Sequence, residues 1–139
     1  MKKTTQELFE LLSKNKDFDK YIKENNTEMI TKPLHILLDE LLEKKNISKS
    51  ECISNSGLDR VYAYQIFSGK KTPAREKLLA LCIGLHCTLD EAQTLLKHAS
   101  YAPLYPRTNK DCAIIYAITH SLSIIELNEL LYEAGEPLV

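Results

Sequence analysis

The amino-acid sequence predicts an all-helical protein. Four Ser/Thr-x-x-Glu sequences can each form a capping box, in which the hydroxyl accepts from the third N–H of a helix and the carboxylate accepts from the N–H of the cap. Apolar residues over 34–42 recur at the spacing of one helical face. Strand patterns are nearly absent, and glycines stand where the helical patterns stop. The four capping sequences are Thr4/Glu7, Ser48/Glu51, Thr88/Glu91 and Ser123/Glu126.

The predicted helices follow these signals in chain order. The first begins after Thr4, and a polar stretch then runs to Lys32. The second opens near Pro33, and two short helices follow, one on each side of Gly57. A longer helix opens at Pro73, because proline at the first helical position loses no hydrogen bond. The predicted bounds are 4–14, 33–45, 49–56, 59–67, 73–85, 89–99, 110–120 and 124–134.

The C-terminal half resembles itself at an offset of 35 residues. The offset aligns the caps Thr88 and Ser123, and the small residues Ala99 and Ala134. The segment 100–108, which contains two prolines, separates the two copies. Each copy is typical of one helical hairpin, and repeated hairpins tend to stack side by side. The alternative is a chance likeness between amphipathic helices, and two copies alone leave both interpretations open.

The composition is that of an ordinary globular protein, with 44% hydrophobic and 27% charged residues among 139. No apolar run approaches the roughly 20 residues that cross a bilayer. The N-terminus lacks the apolar stretch of a secretory signal, so we expect a cytoplasmic protein without membrane contact. The cysteines lie in apolar periodic segments without a CxxC pair, which predicts buried free thiols and no metal site. They are Cys52, Cys82, Cys87 and Cys112.

Catalytic patterns are missing from the sequence. There is no glycine-rich phosphate loop and no convincing nucleophile–base set, and the four histidines are scattered over the predicted helices. The length leaves no room for a substrate domain. We therefore expect no enzyme activity and no cofactor.

The charge of the chain is unevenly distributed. The formal net charge is −1, which by itself argues against a nucleic-acid partner. Residues 44–77 nevertheless carry eight basic and three acidic side chains, a net charge of +5. The flanks 1–43 and 78–139 carry net charges of −2 and −4. The segment 44–77, the basic block, is therefore the part of the chain that suits phosphate.

Two short helices separated by a tight turn lie inside the basic block. The first ends at Gly57 and the second begins within two residues, which is the arrangement of a helix-turn-helix. At about 100° per residue, Ala63 and Ile66 lie on the packing side of the second helix. The opposite side carries an Arg suited to guanine and a Gln suited to adenine. This exposed side comprises Arg60, Val61, Tyr64 and Gln65.

Over residues 34–88 the chain resembles the lambda-repressor-like helix-turn-helix family of the XRE or Cro/C1 type. The resemblance rests on the turn at 57–59, on Ala63 and Ile66, and on the closing sequence SGKKTP at 68–73. The chain is also similar to regulators with a YxYQIFxGKRxP signature and an LYPR segment, here 104–107. The resemblance implies base-reading roles for Arg60, Val61, Tyr64 and Gln65, and phosphate contacts for Lys49, Ser50, Tyr62, Lys70 and Lys71.

The chain departs from the family pattern at two positions. Ile53 stands where the family has a small alanine, and Phe67 stands where a glutamate is common. We expect Ile53 to widen the packing of the helix pair, and Phe67 to exchange a polar helix-end contact for a core contact.

Together these observations predict a lambda-repressor-like core of five helices with helical additions on both sides. Residues 1–32 form an N-terminal helix and linker, 33–88 the DNA-binding core, and 89–139 a C-terminal helical hairpin extension. The predicted function is sequence-specific binding of double-stranded DNA by a homodimer that regulates transcription. The alternative is a non-enzymatic adaptor that retains the fold without binding DNA and engages a protein through its acidic flanks.

Overall fold

The computed structural model describes residues 3–29 and 32–139, and every regular element within these ranges is helical. The prediction of an all-helical protein is therefore confirmed, whereas residues 33–88, predicted as a core of five helices, contain four, because the next helix begins at Leu89. A short 3₁₀ turn, Asn26–Glu28, follows the second helix. The helices are α1 Thr5–Lys14, α2 Phe18–Glu24, α3 Leu34–Lys45, α4 Lys49–Ser56, α5 Arg60–Phe67, α6 Arg75–Gly84, α7 Leu89–His98, α8 Asn109–Thr119 and α9 Ile124–Glu133.

The chain divides into two compact units, residues 1–31 and 32–139. In the first unit, α1 begins at a Thr4/Glu7 capping box and buries none of its residues. The prediction of a polar stretch without a helix up to Lys32 was wrong at α2. Asp17 caps this helix by accepting from Lys20 N, a signal outside the Ser/Thr-x-x-Glu pattern.

In the second unit, α6 lies at the centre of one continuous hydrophobic core. All of its residues from 78 to 84 are buried, and it packs closely against α4. A β-carbon on Gly84 would overlap the carbonyl oxygen of Cys52 and would lie 3.1 Å from Ser56 Cβ, so only glycine permits this approach. Ile47 is half-buried against this core. Buried members of the core include Leu38, Leu42, Ile66, Leu78 and Leu81.

The two C-terminal hairpins, α6–α7 and α8–α9, correspond in structure at the offset of 35 residues. The bounds of α7 and α9 coincide under the offset, and both helices begin at a complete capping box. The inter-helix turns contain left-handed residues at equivalent positions, His86 with φ 53° and Ser121 with φ 54°. In the second helix of each hairpin, an amide side chain exchanges two hydrogen bonds with the backbone of the residue eleven positions later. These pairs are Gln93 with Leu104 and Asn128 with Val139.

The two hairpins contact each other reciprocally. The Arg75 guanidinium forms two hydrogen bonds with Asp111 at 3.0 and 3.2 Å, and Lys110 Nζ lies 2.8 Å from Glu76 Oε1. Residues 75 and 76 of the first hairpin are equivalent to 110 and 111 of the second, so the two ion pairs exchange equivalent partners. α6 also contacts α9, and α7 contacts α8. This is the pattern of an isologous contact between two copies of one motif.

The predicted caps and cysteines can be compared with the structure residue by residue. Three of the four capping boxes are complete, whereas at Ser48 only the hydroxyl bond to Glu51 N forms. Cys52, Cys82 and Cys87 are buried, and burial raises the pKa of the Cys52 thiol to about 12. The prediction of burial was wrong for Cys112, which lies on the solvent side of α8.

Within residues 3–29 and 32–139, no helix combines the length and apolar character that crossing a bilayer requires.

Candidate nucleic-acid interface

The turn between α4 and α5 is fixed by local hydrogen bonds. Gly57 ends α4 in the left-handed conformation with φ 71°, which any β-carbon would strain. Ser56 Oγ accepts from Leu58 N at 3.3 Å, and Asp59 caps α5 by accepting from Tyr62 N at 3.0 Å. The predicted bounds 49–56 and 59–67 agree with the helices to within one residue.

α5 has one buried side and one exposed side. Ala63, Ile66 and Phe67 are buried in the core and anchor the helix. On the other side, Val61 is 67% exposed and Tyr64 is 38% exposed. The remaining two residues with predicted base-reading roles are Arg60, which is exposed, and Gln65, which is half-buried.

A groove of about 340 Å³ runs between α4 and α5. It brings together Ser50, which has a predicted phosphate contact, with Arg60 and Tyr64, which have predicted base contacts. The Arg60 guanidinium carbon lies 5.8 Å from the centre of the Tyr64 ring, close enough for a cation–π interaction. The residues that line the groove are Ser50, Ile53, Ser54, Gly57, Leu58, Arg60 and Tyr64.

The remaining residues with predicted phosphate contacts lie at the two ends of the helix pair. Lys49 begins α4, with its Nζ 3.8 Å from Asp39 Oδ1, whereas Tyr62 is half-buried against the core. Lys70 and Lys71 are exposed after α5, where Lys71 N donates to Gln65 O at 3.2 Å. Within 3–29 and 32–139, neither of these two lysines forms a salt bridge.

Part of the basic block is neutralised inside the chain, which its composition does not reveal. The Glu91 carboxylate lies 2.7 Å from Lys45 Nζ and 3.2 Å from Lys44 Nζ, and it also accepts from Thr88 N. Partial burial acts to raise the pKa of Glu91, but these hydrogen bonds outweigh it and lower the pKa to about 2. Arg75 is likewise held by Asp111. With Lys49 beside Asp39, four of the eight cations of the basic block therefore already face carboxylates.

These ion pairs could not be predicted from the sequence, because the partners of each pair are far apart in the chain. Arg75 and Asp111 are 36 residues apart, and Lys45 and Glu91 lie on different helices. The capping box at Thr88 identifies Glu91 as a helix-cap residue, but nothing in the local pattern points to a lysine from α3. Only the packing of α3 against α7 brings these charges together.

The two departures from the family pattern are both buried. Ile53 reaches the core from α4 and also lines the groove beside Arg60. Phe67 is buried at the end of α5, so the prediction of a core contact there is confirmed. Lys49 Nζ lies 5.7 Å from the centre of its ring. Phe67 thus anchors α5 and supports the first residue of α4.

Comparisons with protein-family models, with curated proteins and with solved structures each gave no match to this chain.

Proposed function

We propose that the protein is a transcriptional regulator that binds specific double-stranded DNA through a lambda-repressor-like helix-turn-helix formed by α4 and α5. One observation carries the proposal. α5 is anchored by three buried side chains and presents Arg60, Val61 and Tyr64 to solvent beside the groove. A recognition helix needs such an arrangement, with one side held in the core and the other free to reach base edges.

The proposed reading of DNA follows from the width of the major groove, which admits an α-helix. With α5 in the groove, the Arg60 fork can donate to O6 and N7 of guanine. Gln65 can pair with adenine through its amide, and the Val61 methyl groups can contact the methyl group of thymine. Tyr64 stacks beside Arg60 and orients the guanidinium.

Phosphate contacts on both sides of α5 would fix its register. Lys70 and Lys71 follow α5 after Gly69, whose φ of 84° turns the chain away from the helix axis. Lys49 and Ser50 stand at the start of α4, and the Tyr62 hydroxyl can reach a phosphate from α5. Such contacts position a protein on the duplex without reading sequence.

We further propose that a homodimer binds the operator, because a single module of this size buries little surface and helix-turn-helix dimers read paired half-sites. The outer face of α9 supports a second copy. Ile125 and Tyr132 are 68% and 78% exposed there, around a groove of about 430 Å³. An apolar patch is complementary to the same patch on a copy, as an isologous contact requires. A regulator of DNA acts inside the cell, and we propose the cytoplasm as its location.

The decisive experiment selects binding sites from random duplexes and then tests Arg60→Ala. We expect a loss of about 1–3 kcal/mol on the selected site and little change on unrelated duplexes, because a base contact carries discrimination. Lys97→Ala removes an exposed cation from α7 and serves as the control. A selection that enriches no sequence would contradict the proposal.

The second candidate is the protein-binding adaptor. The observation that favours it is the internal pairing of Lys44, Lys45 and Arg75, which lowers the charge available to phosphate. Unenriched selection together with weak binding to every duplex is the result this candidate predicts. The acidic flanks would then be the surfaces to test for a protein partner.

A further inference from the structure

The loop between α7 and α8, residues 101–108, is bonded to the chain that leaves the helix-turn-helix. Tyr101 OH donates to the Pro73 carbonyl at 2.6 Å. Arg75 Nε donates to Ala102 O at 3.0 Å, and Arg75 Nη2 donates to Pro103 O at 3.2 Å. Since Lys71 is only two residues before Pro73, at most about 7 Å of chain separates Lys71 from the residue that Tyr101 contacts.

The other end of the loop is fixed as firmly. Gln93 exchanges hydrogen bonds with both backbone groups of Leu104 at 2.7 and 3.0 Å. Tyr105 N donates to Asp111 Oδ2 at 2.9 Å, which ties it to the carboxylate that holds Arg75. These bonds leave the next side chains in solvent: Tyr105, Pro106 and Arg107 are all exposed. The structure thus holds an exposed arginine on a fixed loop.

The charges of the C-terminal half concentrate at this loop. Residues 78–139 contain only three basic side chains, Lys97, Arg107 and Lys110, and two of them lie in the loop or directly after it. Taken together, 70–77 and 105–111 carry six cations and two carboxylates, a net charge of +4 in a half that is otherwise acidic. Both carboxylates are paired, Glu76 with Lys110 and Asp111 with Arg75. In the described part of the chain, Arg107 forms no salt bridge.

We propose that the exposed loop Tyr105–Arg107 is a second phosphate-binding element, which extends the contacts of Lys70 and Lys71 along the DNA backbone. This inference rests on the proposed function. Phosphates of one strand succeed each other roughly every 3.4 Å along the axis, so a loop bonded to the chain just after Lys71 can reach further phosphates of the same strand. Arg107 supplies the charge, and the Arg75–Asp111 pair acts as a positioning element.

A loop that only clamps the fold would need Arg75, Asp111 and Gln93 but not Arg107. The structure therefore separates the two roles, because the Arg107 side chain takes no part in the hydrogen bonds of the described residues that hold the loop. Its substitution is expected to leave the thermal midpoint unchanged.

The test measures binding of the full chain to a duplex of about 30 base pairs of arbitrary sequence over a range of salt concentrations, because phosphate contacts are independent of sequence. Arg107→Ala should lower the slope of log affinity against log salt by about 0.9, the value for one lost phosphate contact. Arg107→Lys should retain the slope, since it keeps the charge. Lys97→Ala is the matched control and should change nothing.

A second readout locates the contact. On a duplex that carries the selected site, which fixes the register, hydroxyl-radical footprinting of Arg107→Ala should lose protection only at the outer flank, whereas Lys71→Ala should lose it next to the recognition helix. If Arg107→Ala keeps the wild-type slope and footprint while Lys71→Ala lowers the slope, the loop proposal is wrong and the proposed function stands. If the wild type binds no duplex in a salt-dependent manner, both are wrong.

Discussion

The hairpins α6–α7 and α8–α9 have the same construction and opposite surroundings. Their second helices begin at identical capping boxes, and their turns use left-handed residues at equivalent positions. The first hairpin is enclosed between α3, α4 and the second hairpin, whereas the second hairpin forms the outside of the unit. Local signals therefore determine where the helices begin and end. The neighbouring elements determine whether a buried or an exposed side chain suits each position.

The contrast shows in equivalent residues. Position 84 is a buried glycine against α4, and its counterpart Thr119 is exposed. On the second helices, Asp90 and Lys97 of α7 correspond to the exposed apolar Ile125 and Tyr132 of α9. The outer hairpin thus carries exposed apolar side chains where the inner one carries charges. This is the composition of a surface that packs against a further element.

The largest difference in stability between the two hairpins is expected for the two reciprocal ion pairs. Asp111→Asn leaves the Arg75 charge without its buried partner and should lower the free energy of unfolding by about 3–5 kcal/mol. Glu76→Gln breaks the equivalent but more exposed pair and should cost only about 0.2–1 kcal/mol. Urea unfolding of both variants measures the difference. Equal losses would mean that the two pairs are energetically equivalent.

The next largest difference concerns Gly84 and Thr119. Alanine is a better helix former than glycine, yet Gly84→Ala forces a methyl group into the Cys52 carbonyl and should cost about 1–3 kcal/mol or more. Thr119→Ala at the equivalent position should change stability by about 0.5 kcal/mol or less. Thermal unfolding compares the two. A stabilised Gly84→Ala protein would refute the close packing of α4 and α6.

Acid should remove the stabilisation that the capping residue Glu91 provides. The pKa of Glu91 is lowered to about 2 in the folded chain, below its ordinary value of 4.5. Its contribution to stability is therefore fully present above pH 4.5 and is lost as the pH falls from there toward 2. Glu91→Gln should flatten the acid limb of a stability–pH curve. Glu126→Gln removes the charge of the equivalent cap residue, which forms no salt bridge among the described residues, so it is the control and should leave the limb steeper than Glu91→Gln does.

The smallest effect on stability is expected at the outer face. The double substitution Ile125→Asp and Tyr132→Lys gives α9 the residues of α7 and should change the free energy of unfolding by only about 0.5 kcal/mol. We expect it to convert a dimer into a monomer in sedimentation, because it removes the apolar patch. A wild-type monomer, or a variant that still sediments as a dimer, would exclude α9 as the interface.

Local signals predicted most of the fold. Hydroxyl caps, glycine stops and apolar spacing gave eight of the helices to within about two residues at each end, because each signal acts within one helical turn. α2 was missed because Asp17 caps it without a glutamate three residues later. The face of α5 followed from 100° per residue, whereas the partial burial of Gln65 depends on the packed neighbours. Long-range pairs such as Arg75–Asp111 have no local signature.

The Arg75–Asp111 pair can form only late in synthesis, because its carboxylate is made after its arginine. The helix-turn-helix and all of α6 leave the ribosome before the carboxylate that Arg75 needs. Translation adds about 5–20 residues per second, so the newly made helix pair waits a few seconds with one side of α6 uncovered. The second hairpin therefore completes the fold of helices that were synthesised before it, and a chain interrupted between 88 and 111 retains an uncompensated charge at the start of α6.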